Sequence, residues 1–216
     1  MSTPILEQLF FFLQNLVFKQ IGGKIRTNDL KSIMDFVFIL VEKIGCKFEV
    51  ISEIYLKLYE DIVTKEITLA QISQKDQILV IGSGSLPVTP TLIVRNTHAQ
   101  TVSIDIDPHA VKQAIHYVNS QNLEQLLKIE YADGFTYPIE QFNVIIVLYG
   151  VKHPAEMLRN LADRIDQNTK VIYRTITDTK GKILDKTLDL SQYFIIKEQV
   201  HTETLGSFDS FLIMKK

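Results

Sequence analysis

Two regimes of hydrophobic spacing divide the chain near residue 75. Over residues 4–75, apolar residues recur at three- and four-residue intervals. Ile5, Leu6, Leu9, Phe10, Leu13, Leu16 and Val17 form one stripe; Ile51, Ile54, Tyr55, Leu58 and Ile62 form another. Such intervals place side chains on one face of an α-helix. Gly22-Gly23 interrupts the first stripe, and Thr27-Asn28-Asp29 offers N-caps for a second helix near 29–44, which Gly45 can end. A third helix follows, and Lys65 to Gln74 continues it as helix or linker. No proline falls between Pro4 and Pro87, as helices require.

From Gln77 the spacing changes to short apolar runs alternating with helical segments. Strands are expected near 78–81, 101–105, 127–131, 142–148, 169–174, 192–198 and 208–214. Helices are expected near 88–96, 108–120 and 154–164. Val- and Ile-rich strands with little alternation predict a parallel sheet covered on both faces. The last two strands have no helix between them. Tyr193-Phe-Ile-Ile196, a turn around Leu205-Gly206-Ser207, and Phe208 to Met214 predict a closing antiparallel hairpin. The expected organisation is a helical cap over residues 1–75 and an α/β domain over 76–216.

The chemistry concentrates where the first strand ends. Ile78-Leu-Val-Ile runs into Gly82-Ser-Gly84-Ser-Leu-Pro87, and Asp105 ends the second strand twenty-three residues past Gly82. A strand, a glycine-spaced turn, a helix and a second strand ending in an acid present backbone N–H groups and a carboxylate to a nucleoside. The dinucleotide fingerprint requires a third glycine where this chain has Pro87, which has no N–H to give a pyrophosphate. NAD and FAD are therefore disfavoured. S-adenosylmethionine (SAM) lacks a phosphate, tolerates a looser loop and still needs the acid for its ribose. A purely structural strand–helix turn is the competing reading.

Under the SAM reading, Gly82, Ser83, Gly84, Ser85 and Leu86 pass beneath the methionine part. The glycines leave room where a Cβ would collide, and the serines offer hydroxyls. Asp105 is the ribose acceptor, with Ile106 and Asp107 beside it. Asp107-Pro108 is also an N-cap with proline at the first helical position, so Asp107 joins the site or serves only as a cap. Asp133-Gly134 follows the third strand and either meets the adenine amino group or forms an ordinary turn. Leu148-Tyr149-Gly150 ends the fourth strand, where transferred groups sit. His153 either reaches the site or stays in solvent.

Composition limits the partners. The chain has 216 residues, 46% hydrophobic, with net charge −2. No basic excess exists to neutralise a nucleic-acid backbone. The single cysteine, Cys46, allows neither an internal disulfide nor a multi-thiolate metal site, and no histidine pair has ligand spacing, so no metal is expected. No segment reaches the roughly 18–20 apolar residues that span a bilayer. With no Lys or Arg before Lys19, a signal peptide is unsupported. A cytoplasmic protein is the expectation, and the Phe-rich stripe Leu9–Phe18 packs on the chain itself or on a second copy in a homodimer.

The layout resembles the Rossmann-like fold of class I SAM-dependent transferases. More specifically, Gly82-Ser-Gly-Ser-Leu-Pro-Val-Thr89 resembles the Gly-Ser-Gly-Pro-Leu-Pro-Leu-Thr signature of nicotianamine synthases and related opine-type metallophore synthases. Tyr55-Leu-Lys-Leu58 is similar to that family's Asn-Tyr-Leu-Lys-Leu helix. Ile104-Asp-Ile-Asp-Pro108 and Val171-Ile-Tyr-Arg174-Thr are similar to two of its strands, and Val200-His201 through Ser210-Phe-Leu-Ile is loosely like its last. The chain departs from the family at Ser85, where the family has proline, at Pro90 after Thr89, and at Ile54 before the helix tyrosine.

The resemblance implies transfer of the 3-amino-3-carboxypropyl group of SAM to the amine of a small-molecule acceptor, releasing 5′-methylthioadenosine. It places Tyr55 at the reacting group; Arg174, at the end of a central strand, would pair with a carboxylate of substrate or SAM. Arg174 otherwise holds a loop by a salt bridge, and Tyr55 otherwise lies in the core. Tyr149 would contact the transferred group, and Glu60 or Glu66 is either the base or a solvated helix carboxylate. The alternatives are methyl transfer to a small molecule and a non-catalytic SAM- or nucleoside-binding module.

Overall fold

A computed structural model describes residues 49–178, 181–185, 188–202 and 208–216. The first two predicted helices, Cys46 and the turn around Leu205–Ser207 lie outside the described residues. The rest forms a seven-stranded sheet with helices on both faces. In chain order the elements are α1 (Glu49–Ala70), β1 (Gln77–Ile81), α2 (Val88–Thr97), β2 (Gln100–Asp105), α3 (Pro108–Ser120) and β3 (Leu127–Tyr131). They continue with β4 (Val144–Val147), α4 (Pro154–Arg164), β5 (Lys170–Ile176), a 3₁₀ turn (Leu190–Gln192), β6 (Phe194–Thr202) and β7 (Phe208–Lys215).

The strand order is β3-β2-β1-β4-β5-β7-β6. The first five strands are parallel; β7 enters antiparallel between β5 and β6. The order reverses at β1 and β4, and a parallel sheet opens its ligand crevice at the carboxyl ends there.

Each central strand buries both faces. Ile78 and Val80 of β1, with Val144 and Ile146 of β4, pack under α1 and α2. Leu79 and Ile81, with Ile145 and Val147, pack under α4. This two-sided burial is why the strands read as continuous apolar runs. A third cluster joins α3 to β3 through Val111, Ala114, Val118, Leu127 and Ile129.

Helix α1 takes in Lys65 to Ala70 of the stretch expected as helix or linker, and residues 71–74 leave it as a turn. It runs through Ala70 and ends where Gln71 adopts φ 51°. The N–H of Ile72 bonds the Ile67 carbonyl at 2.9 Å, and that of Gln71 bonds Thr68 at 3.1 Å. These paired bonds close a helix in the Schellman manner, here with glutamine where glycine is usual. Tyr55, Leu56, Leu58, Ile62 and Val63 of α1 share one core with β1 and β4. Each such burial contributes roughly 1.5–3 kcal/mol, so α1 belongs energetically to the sheet.

Candidate nucleoside site at the carboxyl edge of the sheet

A cavity of about 750 Å³ opens at the carboxyl ends of β1, β2 and β4. The loop from Gly82 to Leu86 forms one wall. Gly82 sits at φ 86° and Gly84 at φ 67°, a region that glycine enters without strain. A Cβ on Gly82 would also stand 2.8 Å from Cγ2 of Val151. The turn ends in Pro87, which precedes α2, and Pro90 lies in that helix's first turn, where a missing N–H costs nothing.

Asp105 binds this loop to its own. Its Oδ2 accepts the Gly84 N–H at 2.8 Å, and its Oδ1 accepts the Asp107 N–H at 2.9 Å. A carboxylate offers about four lone-pair positions, so two remain for ribose hydroxyls. Ser83 lines the same cavity; its hydroxyl is buried and has no hydrogen-bond partner among the described residues. A buried unsatisfied hydroxyl costs about 1–3 kcal/mol, and a polar ligand in the cavity would relieve that. These features fit the methionine and ribose parts of SAM.

Asp107 caps α3 and also lines the cavity. Its Oδ1 accepts the His109 N–H at 2.8 Å. Ile106 beside it is 59% exposed, an apolar side chain standing at the cavity. Asp133, Gly134 and Phe135 line the cavity from the β3 side. One Asp133 oxygen accepts the Phe135 N–H at 2.9 Å, which leaves the other for a ligand. Leu148 and Tyr149 line it beyond β4, with Tyr149 edge-on to Phe208 at 5.5 Å between ring centres.

Helix α1 supplies Tyr55 and Tyr59, one turn apart, with ring centres 5.0 Å from each other and the rings tilted by 57°. Below them lies a buried ion pair. Arg174 of β5 donates from Nε to Glu66 Oε1 at 2.8 Å and from Nη2 to Oε2 at 2.6 Å. It also donates from Nη1 to Thr89 Oγ1 at 3.1 Å, and Ser210 Oγ donates to Glu66 Oε1 at 2.5 Å. Glu66 is 0% and Arg174 3% exposed. Burial alone would lower the Arg174 pKa; attraction and hydrogen bonds from Glu66 outweigh it and hold the value above the ordinary one.

Thus the structure gathers Tyr55, Gly82 to Leu86, Asp105 to Asp107, Asp133, Gly134, Leu148, Tyr149, His153 and Arg174 around one cavity. Two positions fare differently as bases. Glu60 is exposed on α1 and does not line the cavity. Glu66 is engaged by Arg174 and Ser210. Sequence reasoning did not single out Tyr59, Thr89, Phe135, Met157 or Phe208, which also line the cavity. Tyr59 was findable, because it lies four residues from Tyr55 on one helix face. Phe208 was not, because only the insertion of β7 brings it there. Among the described residues, no group of His, Cys, Asp and Glu could hold a metal ion. No helix among them is long and apolar enough to cross a membrane.

No family model matches the chain. A stretch of 121 residues, 56% of the chain, is 27% identical to an L-histidine 2-aminobutanoyltransferase of Yersinia pestis. That stretch spans only 45% of the relative's length. The fold is similar over the whole chain to a nicotianamine synthase, MtNAS. A point mutant of it with S-adenosylmethionine superposes with TM-score 0.78 at 16% identity, covering 92% of that protein. MtNAS in complex with MTA and tNA gives 0.77, covering 90%. An RNA methyltransferase from Salinibacter ruber with S-adenosyl-L-homocysteine gives 0.58 at 18% identity, over 72% of this chain and 92% of that one. The fold is the Rossmann-like one of class I SAM-dependent transferases.

Proposed function

We propose that the chain is a SAM-dependent transferase that moves the 3-amino-3-carboxypropyl group to the amine of a small molecule. The observation that carries this is the meeting of the Gly82–Leu86 loop and Asp105 on one cavity wall, joined by the bond from Gly84. The likeness to MtNAS supports a SAM site, since that protein was crystallised with S-adenosylmethionine. The Yersinia pestis relative supports a four-carbon unit over methyl as the transferred group, and histidine as an acceptor to test.

In this reading Asp105 accepts from the ribose hydroxyls, Asp133 from the adenine amino group, and Ser83 from the amino-acid end. Ile106 and Leu148 pack on the purine, and Ser85 and Leu86 shape the turn. Tyr55, Tyr59 and Tyr149 give the cavity an aromatic lining suited to a sulfonium, because ring faces attract cations. The acceptor's neutral nitrogen attacks the methylene carbon beside the sulfonium. The carbon–sulfur bond breaks, its electron pair returns to sulfur, and 5′-methylthioadenosine leaves; the new ammonium yields its proton to a base. Because Glu66 neutralises Arg174, that arginine contributes directed N–H groups to a carboxylate more than net charge.

The deciding experiment incubates the protein with SAM and amino-acid amines, histidine among them, and identifies the nucleoside released. 5′-Methylthioadenosine supports the proposal. S-adenosylhomocysteine instead would establish methyl transfer, and SAM binding without turnover of any acceptor would establish a binding module.

A further inference from the structure

Arg164 stands outside the cavity, yet it grips a segment that lines it. It lies in the last turn of α4. Its Nη1 donates to the Phe135 carbonyl at 2.9 Å and to Asn160 Oδ1 at 3.1 Å, and its Nη2 donates to the Tyr137 carbonyl. The segment it holds, Asp133 to Tyr137, is the one whose first three residues face the cavity. A planar guanidinium that reads two carbonyls two residues apart fixes the orientation of a loop as well as its distance.

The loop is wound tightly enough to pass that constraint on to Asp133. The Asp133 carbonyl accepts the N–H groups of Thr136 at 3.1 Å and Tyr137 at 3.0 Å. One of its carboxylate oxygens accepts the Phe135 N–H at 2.9 Å. The two carbonyls that Arg164 holds therefore belong to residues whose own N–H groups bond Asp133. Two side-chain contacts complete the seat. The Tyr137 hydroxyl donates to Glu130 Oε2 at 3.0 Å, and a Cβ on Gly134 would meet Ile81 and Met157 at 2.9 Å each. Arg164 stands out among these restraints because it binds backbone and does so at two points.

We infer that Arg164 is a positioning residue for nucleobase recognition. By gripping Phe135 and Tyr137 it sets where the free Asp133 oxygen stands, and so sets the site's preference for a 6-aminopurine over a purine that has no amino donor. This rests on the reading of the cavity as a SAM site. The mechanism is geometric: a hydrogen bond weakens steeply as its angle departs from linearity, so a carboxylate turned by tens of degrees loses the amino group and keeps the ring contacts.

The test uses the full chain as wild type, Arg164→Lys and Arg164→Met, with a thermal melt of each. Calorimetry measures binding of S-adenosylhomocysteine and of its analogue lacking the 6-amino group. The wild type is expected to favour the adenine ligand by about tenfold or more, as for a hydrogen bond to a charged group. Arg164→Met brings the preference to within about threefold while the analogue's affinity changes by less than about twofold. Arg164→Lys, which keeps a donor but not the fork, falls between. A role in loop stability alone lowers both affinities together and leaves their ratio unchanged. The same ratio in all three proteins overturns the inference. A wild type that binds both ligands equally also overturns it and leaves the SAM reading standing. A wild type that binds neither removes that reading and the inference with it.

Discussion

Asp105 and Gly84 lie twenty-one residues apart in the chain and are joined at 2.8 Å, carboxylate to backbone N–H. The bond ties the end of β2 to the turn after β1. The residue proposed to hold the ribose also holds the loop beneath the methionine. Asp105→Ala is therefore expected to weaken SAM binding by about 10- to 100-fold, the worth of one or two hydrogen bonds to a charged group. Titration calorimetry checks this. Unchanged affinity would remove Asp105 from the site.

Gly82 combines a φ of 86° with a Cβ position 2.8 Å from Val151. Gly82→Ala is expected to cost about 1–2 kcal/mol from the left-handed backbone alone, and more from the contact. Adding Val151→Ala relieves the contact but not the backbone. Urea unfolding of the single and double variants separates the two contributions, and the double variant should recover only part of the loss.

Glu66 and Arg174 form a buried, two-point ion pair. Removing one charge strands the other, so Glu66→Gln is expected to destabilise the protein by about 3–5 kcal/mol. Replacing both, as Glu66→Leu with Arg174→Met, should restore at least half of that. A double variant as unstable as the single one would mean that the Thr89 and Ser210 hydrogen bonds, rather than the charges, dominate.

Alkaline stability should report on two tyrosines. Burial, then the hydrogen bond to Glu130, pushes Tyr137 up to about 12, and burial pushes Tyr173 up to about 12. In the unfolded chain both titrate near 10. Between about pH 10 and about pH 12 the folded state therefore holds more protons than the unfolded one, and stability falls as pH rises. Below about pH 10 the contribution is complete. Denaturant midpoints across this range should drop in the wild type and drop less in Tyr137→Phe with Tyr173→Phe.

The order of elements was legible because each central strand is buried on both faces. Ile78–Ile81 reads directly as an apolar run, the edge strand Leu127–Tyr131 as an alternation, and α3 and α4 start at prolines preceded by turn residues. The end of β6 was not legible. It was expected near 198 and reaches Thr202, since an edge strand with exposed Lys197 to Gln199 looks like a turn until β7 pairs with it. At the site, the spacing of Gly82 and Asp105 predicted an encounter that the structure places on one cavity wall. Glu66 and Arg174, 108 residues apart, carry no such spacing. Their pairing follows from α1 crossing the sheet above β5, which local pattern does not encode.

The position of β7 bears on when the site can exist during synthesis. This strand fills the gap between β5 and β6, carries Phe208 into the cavity and brings Ser210 to Glu66. A nascent chain that has emerged only as far as β6 has the glycine loop and Asp105 but an open slot in its sheet. The cavity wall at Phe208 and the Ser210 bond to the buried ion pair are therefore the last parts of the site that the ribosome delivers.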